Sequence, residues 1–467
     1  VKKQTPQSSD LTSGKISNLF VDMAVPLAIG MVFSTLYNVV DTFYAGMIST
    51  DAQAGLAIAS QVFFFLIALA FGLSAAMGAL VGNALGGGDA DKAHQFARQG
   101  LVFGLLASVL LTLLGYWFSP KIIALISEEG AYRTAANAYL QLLLLGIVSF
   151  LVAFGANGIL QAGGDTRSMK RAQIVAFFTN LALNPLFIFG IPGWIPGIGF
   201  NGIALSTLVS QTGVMIYVLY RVNHVGIFRG VDLACLLPNL KTFREILAQA
   251  LPSSFSMMVM MLAGLVIQYF LKHFGPEAVA GYGIALRIEQ ILLLPIFGLT
   301  GSLMPIAAQN YGAGNFDRVR EAVFFSFKYG CLITIIAGIL LWLFGGSAMS
   351  LFTNDAEVIR IGASYLRIDA LILWAYLLLF SINALLQALK KPLWTLWIGV
   401  FRQGLGVAAF TYLYVIIFEM GTMGVWLGIA TSVIAGLIIS MIVAQIIAKK
   451  LIGGLFWQDI SHTRKKP

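Results

Sequence analysis

The amino-acid sequence predicts an all-α integral membrane protein of about twelve transmembrane helices, in two six-helix lobes related by a pseudo-twofold axis along the membrane normal. Three observations carry this prediction. Of 467 residues, 58% are hydrophobic and only 10% charged, far more apolar than a soluble domain. Runs of roughly 20 apolar residues, each long enough to cross a hydrocarbon core of about 30 Å as a helix, recur along the whole chain. The chain also repeats itself at an offset of 226 residues.

The spans follow in order. The first lies near 18–45 and contains Pro26 and Asp41, and the second and third lie near 54–80 and 97–118. The fourth is near 133–156; the fifth, 168–190, carries Asn180, Asn184 and Pro185; the sixth, 201–221, carries Thr207. A segment at 222–246 reads as an amphipathic linker at the cytoplasmic interface, which gives lobes at 1–221 and 247–467. The seventh span, 247–272, has four methionines in five positions, soft side chains suited to varied apolar shapes or simply to lipid. The remaining spans lie near 280–307, 322–345, 359–386, 393–418 and 423–447.

The repeat is specific. At one offset Pro26 meets Pro252, GGGDADK (86–92) meets GAGNFDR (312–318), Tyr139-Leu140 meets Tyr365-Leu366, and NGILQA (157–162) meets NALLQA (383–388). With an even number of spans per half, both halves enter from the same side, so the repeat is parallel rather than inverted. Of the 29 Lys and Arg residues, about twenty fall in alternate loops and tails, among them Lys2, Lys3, Arg167, Arg221, Arg229, Arg318, Arg464, Lys465 and Lys466. The positive-inside rule then places both termini in the cytoplasm of a plasma (inner) membrane protein. It also accounts for the net charge of +9 without nucleic acid. The polar start leads into a full-length span and does not read as a removable signal peptide. Cys235 and Cys331 are too far apart in this topology to pair.

An ionisable side chain at the centre of a span costs about 3 kcal/mol even on mild scales, so each needs a partner, a cavity or an interface. Asp41 is the foremost case: Ser34, Tyr37 and Asn38 lie on its helix face, forming a polar stripe suited to a cavity. Headgroup water at the outer end of the span is the alternative. Asn180 and Asn184 stack four apart, and Pro185 frees the carbonyl of Leu181, so this face can hydrogen-bond an acid, ligate a small cation or bind a neighbouring helix. Burial favours the neutral form of a carboxyl group and donors favour the charged form; together they make a proton switch. Pro26, about 22 Å before Asp41 along a straight helix, is either a hinge or a static kink. In the second half Ile267 takes the place of Asp41, while Asp369 and Arg402 fall near the middle of adjacent spans and are expected to pair, with a second coupling site as the alternative. There is no Walker phosphate loop, and no catalytic or metal cluster stands out among four histidines, so neither an enzyme nor a cofactor is expected. A channel would need a selectivity ring, which is not found either.

These residues resemble the multidrug and toxic compound extrusion (MATE) transporters, in the branch close to the DNA-damage-inducible F proteins. The resemblance rests on VPLAIGMVFSTLYNVVDTFYAG, on GNALGGGDADKA with its repeat AQNYGAGNFDRV, on QAGGDTR, and on NLALNPLFIFG followed by GIGFNGIALST. It implies a V-shaped, alternating two-lobed exporter of amphipathic, often cationic drugs by antiport. Asp41 would be the coupling acid, supported by Tyr139, Asn180, Asn184 and Thr207, with Pro26 the bending point. Ser34, Tyr37, Asn38 and Asn157 would line the substrate chamber. A monomer is expected. A close relative pattern has an acid where Asn184 stands here, so the coupling ion expected is H+, with Na+ at Asp41, Asn180, Asn184 and Thr207 the alternative. A lipid-linked precursor flippase of the same superfamily is the other alternative, although that class carries basic cavity residues.

Overall fold

The computed structural model describes residues 10–191, 193–227 and 237–456. Eleven of its helices are long and apolar enough to cross a membrane, and a bent pair supplies a twelfth span. In chain order they are α1 (Ile16–Ile48), α2 (Thr50–Gly86), α3 (Ala90–Ile126), the pair α4 (Ala131–Leu145) and α5 (Ile147–Ala162), α6 (Arg167–Phe189) and α7 (Asn201–His224). After the linker come α8 (Leu240–Leu271), α9 (Pro276–Gly312), α10 (Phe316–Ser350), α11 (Ala356–Ala388), α12 (Pro392–Ile417) and α13 (Gly421–Ile452). The nearly all-helical, twelve-span reading is thus the observed architecture. A two-stranded hairpin, β1 (Gly190–Ile191) with β2 (Ile195–Pro196), joins α6 to α7.

Helix ends follow local chemistry. Ser49, Asp89 and Asp355 cap α2, α3 and α11, each side-chain oxygen accepting an amide of the first turn. Pro276 and Pro392 open α9 and α12, where a missing N–H costs nothing. At 37 residues, α2 and α3 extend about 55 Å and so overrun the hydrocarbon core at one or both ends.

Two features depart from the uninterrupted spans expected. The fourth span bends by 50° at Gly146, whose amide turns back to the Leu143 carbonyl at 2.9 Å and closes α4 before α5 begins. In α12, Val400–Gly406 and Leu413–Ile417 wind as π-helix, which widens the coil and rotates the side chains that follow.

The described chain forms two compact units, one built on Pro26–Ser254 and the other on Leu11–Val25 with the chain from Phe255 onward. The first helix of each half therefore belongs to both units, its N-terminal part to the unit of the other half. The periodicity explains this: Ile16, Phe20 and Met23 are buried on one face of α1, and Phe20 stacks on Phe325 at 4.8 Å. On α8, Ile246 and Ala250 are wholly buried and Phe243 meets Phe103 edge-on at 5.4 Å. The crossings fall at Pro26 and two residues beyond Pro252, at matching places of the repeat. Of the predicted linker, 228–236 lies outside the described residues, as do Arg229 and Cys235 within it and the terminal Lys2, Lys3, Arg464, Lys465 and Lys466.

Candidate functional site

The unit built on Pro26–Ser254 gathers polar side chains from α1, α6 and α7 around one carboxylate. Asp41 is buried at 5% exposure, about two turns from the C-terminal end of α1. Its Oδ1 accepts from Asn180 Nδ2 at 3.0 Å and from Asn184 Nδ2 at 2.9 Å, and its Oδ2 accepts from the Thr207 hydroxyl at 3.1 Å. Asn184 Nδ2 also donates to Asn180 Oδ1 at 3.1 Å. That second bond orients the pair: turning the Asn184 amide over would set oxygen against both acceptors. Asn180 and Asn184 are fully buried, stacked by the four-residue spacing on α6. Three donors on a carboxylate removed from water compensate a charge that would otherwise be costly there.

A second layer adjoins the first. The Tyr37 hydroxyl lies 2.7 Å from Ser210 Oγ, whose own proton goes to the Ser206 carbonyl at 2.7 Å, so Tyr37 is the donor. Tyr139 is buried, stacks on Phe200 at 5.3 Å, and lies within the field of Asp41 and beside Thr207. Asn157 is buried, and among the described residues its Oδ1 has no hydrogen-bond partner, as is also true of Oδ1 of the half-buried Asn383, its counterpart in the repeat. The expected stripe on α1 divides. Tyr37 and Asp41 face inward, Ser34 is half-buried, and Asn38 is exposed and donates to the Ser34 carbonyl at 2.8 Å. A helix advances 100° per residue, so four residues spread over three turns need not share one surroundings.

In the other unit the expected ion pair between Asp369 and Arg402 does not form. Asp369 is 1% exposed, and among the described residues neither of its carboxylate oxygens has a hydrogen-bond partner. Arg402 sits in the first π-helical stretch of α12, its guanidinium 5.9 Å from the centre of the Tyr376 ring and its stem against Gly436. It thus lies against an aromatic face and within the field of Glu289 rather than on Asp369.

The residue missed by the sequence reasoning is Glu289 on α9, which is buried and accepts the Tyr365 hydroxyl at 2.6 Å. Its signal was an acid within LRIEQ, inside an apolar span. The repeat-related Tyr139 and Tyr365 thus each stand beside a buried acid of their own unit, although the acids occupy unrelated positions.

At the turn QAGGDTR between α5 and α6, Asp165 accepts the Ser168 amide at 2.9 Å and hydroxyl at 2.6 Å, and pairs with Arg221 at 3.1 Å. Burial pushes its carboxyl up, but Ser168 and Arg221 together hold it below the usual carboxylate range.

One family model, MatE, matches residues 26–186 and again 252–413, once in each half of the repeat. A FAD transporter of Shewanella oneidensis is 28% identical over 75% of this chain and 77% of its own length. A probable multidrug resistance protein, NorM, of Thermotoga maritima is 25% identical over 90% of both chains. A solved transporter of the MOP superfamily from Pyrococcus furiosus superposes with a TM-score of 0.88, at 24% identity over 96% of this chain and 99% of its own. With both halves matched by the same model over more than half its length, this chain belongs to the MATE family of membrane transporters.

Proposed function

We propose that this chain is a proton-coupled efflux transporter of amphipathic or cationic small molecules, of the branch close to the DNA-damage-inducible F proteins, working by alternating access. The observation that carries the reading is the buried Asp41 carboxylate bonded by Asn180, Asn184 and Thr207. Ionised, it accepts all three bonds. Once protonated it must donate one, and of its three partners only the Thr207 hydroxyl can turn from donor to acceptor, because an amide nitrogen cannot. Proton uptake therefore reverses the contact between α1 and α7 while the two asparagines keep theirs, and α1 bends at Pro26, where the backbone amide bond is missing. Solved MATE relatives described in a bent and in a straight conformation fit such a helix.

The proton is favoured over sodium by the way the amides point. Asn180 and Asn184 present nitrogen, not oxygen, to the carboxylate, and a cation would have to turn them both. The residues around Asp41 are acidic and neutral, which disfavours a lipid-linked flippase. Substrate contacts fall to the polar groups left over, the Asn157 carbonyl and the accessible Ser34 and Asn38, with Tyr37 beside them. The protein acts as a monomer of two lobes, the unit built on Pro26–Ser254 and the unit of Leu11–Val25 with the chain from Phe255 onward, in the plasma membrane with both termini cytoplasmic. The FAD transporter among its relatives adds flavin nucleotides to the substrates worth testing.

The test is efflux from proteoliposomes of cationic dyes and FAD under an imposed pH gradient. Wild-type protein should respond to the gradient, and Asp41→Asn should abolish the response; undiminished proton-driven efflux by Asp41→Asn defeats the proposal.

A further inference from the structure

The loop motif AQNYGAGNFDRV, absorbed by nothing in the coupling site, holds the start of the chain. Leu11 is 1% exposed; its amide donates to Gln309 Oε1 at 3.1 Å, and its carbonyl accepts from Asn310 Nδ2 at 2.9 Å. Arg318 completes the grip. Its Nε donates to Asn310 Oδ1 at 3.1 Å, and its two terminal nitrogens donate to the carbonyls of Gly14 at 3.0 Å and Ser13 at 3.2 Å. Gly14, at φ +75°, makes the left-handed turn that brings those carbonyls round before α1 starts at Ile16. Every backbone contact in this set fixes the position of residues 11–14 regardless of side chain, as a mechanical anchor requires.

The repeat underlines the purpose. The matching positions in the first half are Asn83, Ala84 and Lys92, so Ala84 stands where Asn310 does and Lys92 where Arg318 does. In that half the inner end of α8 is held by other groups, the Gln99 side chain bonding the Asn239 amide at 2.9 Å and the Leu237 carbonyl at 2.8 Å. The pairing of Asn310 with Arg318 thus belongs to the second half, and it acts on the helix that carries Asp41.

We propose that Gln309, Asn310 and Arg318 are positioning residues of the transport cycle. They hold Leu11–Val25 on the C-terminal unit throughout the cycle, so that a change at Asp41 pivots only the outer part of α1, about Pro26, where the helix leaves that unit. Without the clamp the inner end would follow the outer end, and proton binding would shift α1 as a whole without bending it at Pro26. This rests on Asp41 and Pro26 acting as proposed above.

Two experiments in proteoliposomes test it. In protein carrying Cys235→Ser and Cys331→Ser, Phe20→Cys and Phe325→Cys are joined by a short bis-methanethiosulfonate bridge across the site of their stacking contact. The bridged protein should transport as fast as its unbridged form; transport that is lost on bridging and returns on reduction overturns the proposal, since it shows that this segment must detach. Separately, Arg318→Ala should lower efflux about tenfold while substrate affinity and the proton released on substrate binding stay at wild-type values, with Arg318→Lys partly restoring efflux. Unchanged efflux, or affinity falling in parallel with efflux, overturns it. Asp41→Asn run alongside separates the two readings: proton-driven efflux surviving in that variant condemns the coupling site itself, whatever the bridge does.

Discussion

The Thr207 hydroxyl donates to Asp41 Oδ2 at 3.1 Å, joining α7 to α1 across 166 positions of sequence. It is the one partner of the acid that can exchange roles with it. Thr207→Ser keeps the hydroxyl and should keep transport. Thr207→Val removes it in a nearly unchanged volume and should slow proton-driven efflux about tenfold, the equivalent of a hydrogen bond to a charged group worth about 1.5 kcal/mol. Initial efflux rates of the two variants check this.

Pro26 lies inside α1, and a helix-interior proline costs about 3 kcal/mol relative to alanine. Pro26→Ala should therefore raise the thermal midpoint of the detergent-solubilised protein while lowering efflux, because the added amide straightens and stiffens the pivot. Measuring both on one preparation distinguishes a hinge from a static kink, which would gain stability with transport intact.

The acids of the C-terminal unit should respond in opposite ways. Asp369 has two buried oxygens without a hydrogen-bond partner among the described residues, so Asp369→Asn, which removes any charge, should leave the thermal midpoint unchanged or raise it. Tyr365→Phe deprives buried Glu289 of its donor and should destabilise by about 1–3 kcal/mol. Thermal unfolding of the two variants provides the comparison.

Asp165 carries a pH prediction of definite sign. Its carboxyl is held below the usual range, so the stability it contributes is present above the unfolded-state value near 4 and is lost as pH falls through the folded value. Asp165→Asn should lower the thermal midpoint at pH 7, and the difference from wild type should close on acidification below pH 4. A gap that persists at low pH would assign the effect to packing.

Much of this was legible before any coordinates. Twelve spans, the repeat and the singling out of Asp41, Asn180, Asn184 and Thr207 came from hydrophobic length, from matched Pro, Tyr and Gln positions, and from the cost of a charge in lipid. One expectation failed: Asp369 and Arg402 do not pair, since the arginine lies against the Tyr376 ring and within the field of Glu289, and side-chain direction within a span is not visible from spacing.

The sequence alone determined that this chain crosses the membrane many times in two like halves, and that only the first carries an acid at position 41. Both follow from local properties, how apolar each stretch is and which residues recur at a fixed offset. Tertiary structure decided the rest. It brought Asn180, Asn184 and Thr207 onto the two oxygens of Asp41, built Glu289 and Tyr365 into a buried pair, and assigned the inner end of α1 to the far half of the chain. These depend on which helix faces meet and how each is rotated, and those angles are set by close packing between segments more than a hundred residues apart, which no local pattern records.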